Sequence, residues 1–119
     1  MAYHNELGKL GEELAVQYLL KKGYRILSRN FMFEKAEIDI IAENAEELII
    51  VEVKTRNSAV FGDPQSFVNP RKISHLVKAA NEYVLKNGID MEVRFDIIAV
   101  LKNSKLEQVE HFENAFYHF

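Results

Sequence analysis

Glu47-Leu48-Ile49-Ile50-Val51-Glu52-Val53-Lys54, read together with Glu37-Ile38-Asp39-Ile40-Ile41-Ala42 just before it, decides the fold. Both runs carry β-branched residues at odd and even positions, the pattern of strands covered on two sides. Strand side chains alternate with a period of two, so Glu52 and Lys54 share one face while Val51 and Val53 take the other. Glu37 and Asp39 share a face in the same way. Asn44-Ala45-Glu46-Glu47 reads as a short turn that lays the two strands side by side, so Asp39, Glu52 and Lys54 converge. Carboxylates beside a lysine on strands built for burial need a partner or a purpose.

Working outward, the preceding segment predicts a helix from about Leu7 to Lys22, capped by Asn5 and stopped by Gly23. Its main apolar stripe is Leu7, Leu10, Leu14 and Tyr18. Gly8 and Gly11 weaken it, and close approach of the helix to a sheet is the natural compensation. A first strand runs over Tyr24–Phe33. After Lys54 comes a loop from Thr55 to Val68 containing Phe61-Gly62-Asp63-Pro64. Asn69-Pro70 then opens a second helix, an N-cap followed by proline at the first helical position. It ends at Asn87-Gly88 and buries Ile73, Leu76, Val77, Ala80 and Val84, while Arg71, His75 and Lys78 fall on the opposite face. Val93–Leu101 and Leu106–Phe112 read as two more strands. The order αβββαββ predicts one α/β domain over residues 1–119, a mixed central sheet flanked by helices with a helical crossover.

Composition narrows the function classes. The chain has no cysteine, which removes disulfides and thiolate metal sites and suits a reducing compartment. It starts without the pattern of a signal peptide and holds no apolar run of membrane-span length, so a cytoplasmic protein with no membrane partner is expected. Net charge is −3, but it is unevenly spread. Residues 54–78 carry Lys54, Arg56, Arg71, Lys72 and Lys78 against Asp63 alone, between acidic ends. Such a basic segment reads either as a solvated face or as a phosphate-binding patch.

The carboxylate set also has two readings on spacing alone. One is a cross-strand ion pair of Asp39 or Glu52 with Lys54 on a solvated face. The other is a divalent-metal site for phosphodiester hydrolysis. Mg²⁺ takes oxygen ligands and needs only one or two carboxylates. Asp39 and Glu52 supply these, and the backbone carbonyl of Val53 adds a third oxygen. Lys54 then orients the attacking water or neutralises charge developing on the phosphate. Glu12 falls on a secondary helical stripe with Val16 and Leu19, unlike Glu13, which points toward Gln17 and Leu20. Lys72 lies in the first turn of the second helix, where the dipole disfavours a cation and a phosphate contact gives it a reason. Arg56 is a further phosphate contact. Arg94 and Asp96 read as a structural ion pair. His4, His75, His111 and His118 are scattered, so no zinc centre is expected.

Taken in order, the helical Glu12, Glu37-Ile38-Asp39 and Glu52-Val53-Lys54 resemble the D-(E/Q)-x-K nuclease superfamily, whose restriction-endonuclease-like fold includes Holliday-junction resolvases. More closely, the chain resembles the YraN family of small, endonuclease-like bacterial proteins. That likeness rests on Gly8-x-x-Gly11-Glu12-x-x-Ala15, Glu37 to Ala42, Val51 to Arg56, Phe61-Gly62-x-Pro64, Lys72, Arg94-Phe95-Asp96 and Ala115-Phe116. The resemblance implies a metal-dependent nuclease acting on DNA, on branched or structured substrates, with Mg²⁺ or Mn²⁺ as cofactor and Glu12, Asp39, Glu52 and Lys54 as catalytic residues. Relatives that cut junctions work as dimers, which makes a homodimer an expectation here. Ala36 stands where the family usually has glycine before Glu-Ile-Asp. Two alternatives stay open: a non-catalytic nucleic-acid-binding module using Arg56, Arg71, Lys72 and Lys78, and a protein-interaction domain using the aromatic tail Phe112, Phe116, Tyr117 and Phe119.

Overall fold

The computed structural model describes residues 2–58 and 68–116, with side chains from Glu6 onward. The expected Phe61-Gly62-Asp63-Pro64 loop, and the side chains of His4, Tyr117, His118 and Phe119, lie outside these residues. The elements run α1 (Ala2–Lys21), β1 (Arg25–Phe33), β2 (Ala36–Glu43), β3 (Glu47–Arg56), α2 (Pro70–Asn87), β4 (Glu92–Lys102) and β5 (Glu107–Phe112). This is the expected αβββαββ order. The five strands form one sheet in the order β1-β2-β3-β4-β5. β3 and β4 pair in parallel and the other neighbours antiparallel, so α2 lies on the crossover that a parallel pair requires. Among the described residues no helix is long and apolar enough to cross a membrane.

The helices cover opposite faces. On one, Ala15, Val16 and Leu19 of α1 pack on Ile40, Ile49, Val51, Ile98 and Val100. On the other, Leu76, Ala79 and Ala80 of α2 pack on Ile38, Ile41, Leu48, Ile50, Phe95 and Ile97. Both parities of β3 and β4 are therefore buried, as their apolar runs imply. Each fully buried Leu, Ile or Phe stabilises the fold by about 1.5–3 kcal/mol. Phe116 also packs into this core against Phe95, at 5.3 Å between ring centroids.

α1 departs from the sequence reading in two ways. It starts at Ala2, so Asn5 lies inside the helix and does not cap it. Its buried face is Gly11, Ala15, Val16 and Leu19, whereas Leu10 of the expected stripe is 41% exposed. The reason is distance: the small residues let the backbone come down on β3. A Cβ on Gly11 would lie 1.9 Å from Thr55 Oγ1 and 2.8 Å from its Cβ. Gly8 makes no comparable approach. The helix ends at Gly23, which takes φ +94° while the Gly23 and Tyr24 N–H groups bond back to the Leu20 and Leu19 carbonyls.

The remaining boundaries are set locally. The Asn69 side chain accepts from the Lys72 N–H at 2.8 Å, and Gly88 at φ +60° closes α2. The Asn44 side chain accepts from the Glu46 and Glu47 N–H groups in the β2–β3 turn. β5 starts one residue later than expected because Leu106 gives its N–H to the Asn103 side chain. The substitution at Ala36 has no backbone consequence. The left-handed residue of the β1–β2 turn is Glu34, at φ +55°, and Ala36 is a buried strand residue.

Arg94 and Asp96 pair as expected, within a larger network. Arg94 donates to both Asp96 oxygens at 2.9 Å, to Glu47 at 2.9 Å and to the Tyr24 hydroxyl at 2.8 Å. Asp96 also accepts from the Asn114 N–H and meets His111 Nε2 at 2.7 Å. Lys22 Nζ lies 3.2 Å from the other ring nitrogen. An ammonium only donates, so that nitrogen accepts and Nε2–H faces Asp96. Burial works against the Asp96 charge, but the bonds from His111, Arg94 and Asn114 outweigh it and hold the carboxyl below its usual range.

Gly11→Ala is expected to destabilise the chain by about 1–3 kcal/mol through overpacking, although alanine is the better helix former. Thr55→Ala in the same chain should recover part of the loss in urea unfolding; a Gly11→Ala chain as stable as wild type would show that the approach is not tight. Asp96→Ala leaves the half-buried Arg94 without its main partner and should cost about 3–5 kcal/mol in urea unfolding.

Candidate nuclease-type site

The site is built where two strands part. β2 and β3 pair through Ile40↔Val51, and the next residues on each strand are Asp39 and Glu52. Beyond that rung the Asp39 carboxylate takes the place of a ladder acceptor: the Val53 N–H donates to Asp39 Oδ2 at 2.8 Å. Both side chains are nearly buried, Asp39 at 9% and Glu52 at 5% exposure. Val53, Lys54, Thr55 and Arg56 continue β3 along the same hollow. Leu7, Gly8 and Glu12 of α1 form its other wall, enclosing a cleft of about 330 Å³.

The β1–β2 register shifts between Ile26 and Ser28 and is constant from Ser28 to Phe33, but the alternation of side chains breaks at Asp39. Ile38 packs on the α2 side and Ile40 on the α1 side, although residues two apart should share a face. Their partners do the same: Phe31 packs with the α2 side, and Arg29 bonds Glu13 of α1. Asn30 falls between those partners, in the row opposite Asp39, and has φ +53°, a conformation asparagine tolerates better than most residues. Its side chain donates to Glu12 Oε1 at 3.0 Å. Asn30 thus ties the helical carboxylate Glu12 to the part of β1 that runs past Asp39.

Burial, then the charge of Glu52, pushes the Asp39 carboxyl up to about 8, with Glu12 and Glu37 adding to the effect and the Val53 N–H opposing it. Lys54 shifts down, chiefly through burial and then through the charges of Arg56 and Lys72. The cation that closes on Glu52 is Lys72 of α2. Among the described residues no ion pair joins Lys54 to Asp39 or Glu52, so the strand-local pairing open in the sequence is not the one formed.

The four expected catalytic residues, Glu12, Asp39, Glu52 and Lys54, all line this cleft, as do Val53 and Arg56. Lys72 joins through Glu52. Arg71 is exposed elsewhere on α2, and Lys78 lines a separate hollow of about 160 Å³ with Phe33, Glu34, Lys35, Ala36 and His75. Glu37 is exposed. Among the described residues no three Asp, Glu or His side chains converge as a metal cage of their own. Asn30 escaped the sequence reading. Its one signal is an asparagine in the middle of an expected strand, a position that disfavours it.

Residues 11–100 match the uncharacterised protein family UPF0102. A UPF0102 protein from Flavobacterium psychrophilum is 63% identical over 119 residues, covering all of both chains. One from Christiangramia forsetii is 56% identical over the same length, again covering both chains fully. One from Syntrophomonas wolfei is 45% identical over 95% of this chain and 99% of its own. Among solved structures, Pyrococcus furiosus SfsA in complex with Ca²⁺ is similar at 18% identity and a TM-score of 0.43, over 92% of this chain and 63% of that one. The chain belongs to the UPF0102 family, the YraN family of the sequence resemblance.

Asp39 sets a testable pH dependence. An unfolded aspartate titrates near ~3.9, and the folded carboxyl is raised to about 8. The native chain therefore holds an extra proton between those values. The associated stability is complete below pH ~4 and is lost as pH rises through the folded value. Urea midpoints at pH 5 and 9 should fall more for wild type than for Asp39→Asn; equal falls would mean that Asp39 ionises as an ordinary carboxylate.

Proposed function

We propose that this UPF0102 chain is a metal-dependent nuclease that hydrolyses phosphodiester bonds in DNA, with branched or structured DNA as the preferred class. The observation that carries this reading is the pair of buried carboxylates, Asp39 and Glu52, one residue beyond the last β2–β3 rung and opening into a cleft that also holds Glu12 and Lys54. A solvated cross-strand ion pair needs neither that burial nor that opening.

The donor set fits a hard divalent cation such as Mg²⁺ or Mn²⁺. It is all oxygen, two carboxylates with the Val53 carbonyl, and Glu52 already holds a cation in the Lys72 ammonium. Bound there, such an ion would supply Lewis acidity toward the phosphate and a more acidic water. The protein's own groups have separate tasks. The Val53 N–H keeps the Asp39 carboxylate aimed. Asn30 fixes Glu12 on the opposite wall, where a carboxylate can orient the attacking water and accept its proton. Lys54 brings positive charge to the phosphate as the transition state gains negative charge. Arg56, on the same wall, extends the positive lining along the backbone of the substrate.

One observation favours a second reading, a non-catalytic nucleic-acid-binding module. Lys72 pairs with Glu52, so that carboxylate has a counter-charge from the protein itself. Cleavage assays separate the two. With Mn²⁺, purified protein is expected to cut at least one of duplex, four-way, single-stranded DNA or RNA, and Asp39→Asn, Glu52→Gln and Lys54→Met should each slow cutting by roughly 100-fold or more. Salt-dependent binding that survives Asp39→Asn, with no cutting of any of these substrates, would establish the binding module instead.

A further inference from the structure

The described residues contain two buried carboxylates held by cations, and the two pairs are built differently. Asp96 is 0% exposed and Arg94 11%, and the planar guanidinium bonds both carboxylate oxygens within a network where every partner is used. Glu52 is nearly as deep, at 6% side-chain exposure, but Lys72 is 40% exposed and meets it through a single ammonium. A lysine offers a point charge on a flexible four-carbon stem without the fork that locks an arginine in place. Its position in α2 gives it no local support either. Lys72 follows the Asn69 cap by three residues, at the positive end of the helix dipole.

Glu52 nevertheless needs a cation in every state. It is buried beside Asp39, whose ionisation its charge disfavours. A charge in that position without a partner costs several kcal/mol. We infer that the Lys72 ammonium is an exchangeable counter-ion, which occupies Glu52 in the cation-free site and leaves it when a divalent cation binds the Asp39–Glu52 pair. The inference rests on the metal-dependent reading above. It assigns Lys72 a positioning role that its place in a basic segment did not indicate. The lysine keeps the two strand ends assembled before the ion arrives, and its half-exposed stem gives it a path into solvent afterwards.

Calorimetric titration with Mn²⁺ alone tests the exchange. Wild type must displace an ammonium to bind, so Lys72→Met should bind Mn²⁺ about tenfold tighter. Lys72→Arg, which keeps the charge, should bind no tighter than wild type, and Lys78→Met, which removes a distant cation of α2, should stay within about twofold of it. Because Lys72→Met leaves Glu52 unpaired until metal is added, a second measurement uses the intact chain. The ¹⁵N signal of the Lys72 ammonium, assigned by its loss in Lys72→Arg, should shift on addition of Mg²⁺. Unchanged affinity in Lys72→Met, or an ammonium signal indifferent to Mg²⁺ in a chain that binds it, overturns the exchange. Failure of wild type to bind either ion removes the metal-dependent reading and the exchange together. Tight binding and exchange without cleavage of any substrate would leave the exchange standing and remove the nuclease reading alone.

Discussion

Negative charge buried at the end of a β-ladder is the constraint on which the rest of the structure depends. β2 and β3 are apolar on both faces and pair closely up to Ile40 and Val51. At the next residue each strand presents a carboxylate. Two such groups cannot sit in a sheet interior without donors and cations, and the surrounding elements supply them. The Val53 N–H turns away from ladder duty to Asp39, Lys72 reaches down from α2 to Glu52, and α1 stands back far enough to leave the cleft open. Gly11 and Gly8 divide the work of α1: the first brings the helix onto Thr55, and the second helps line the opening.

The other buried acidic centre shows what the same chain does when stability is the only requirement. Asp96 is saturated by an arginine, a histidine and a backbone N–H, and its carboxyl is held low in spite of burial. Asp39 is pushed high by burial and then by the charge of Glu52, with only one backbone donor opposing them. Carboxylates of one type, at similar depth and in one sheet, are driven in opposite directions by their partners. A perturbed carboxyl facing an open cleft is the kind of group that marks functional sites, whereas a saturated network marks structural ones.

Much of this could be read in the chain directly. Apolar residues at both parities of Ile38–Ala42 and Leu48–Val53 require a doubly covered sheet, and Asn69-Pro70 with Asn87-Gly88 sets the limits of α2 from capping chemistry alone. Asp39, Glu52 and Lys54 were visible as a set because period-two spacing and one short turn suffice to bring them together. The buried stripe of α1 differs from the one that hydrophobic periodicity predicts, for a definite reason. Side-chain size favours Leu7, Leu10 and Leu14, but close approach to β3 selects Gly11 and Ala15, and hydrophobic periodicity does not register how closely a helix comes to a sheet.

By itself, then, the sequence determined the element order, the two-sided burial of the central strands and the residue types at the cleft, since these follow from local spacing, capping and hydropathy. Only the tertiary structure decided which partner each charge takes. Lys72 is 20 positions from Glu52 in the chain, and His111 meets Asp96 across the β4–β5 pair. Asn30 meets Glu12 because β1 steps out of alternation opposite Asp39. Such pairings depend on how elements distant in sequence lie over one another, and a Coulomb interaction depends on that separation and on the depth at which it is made.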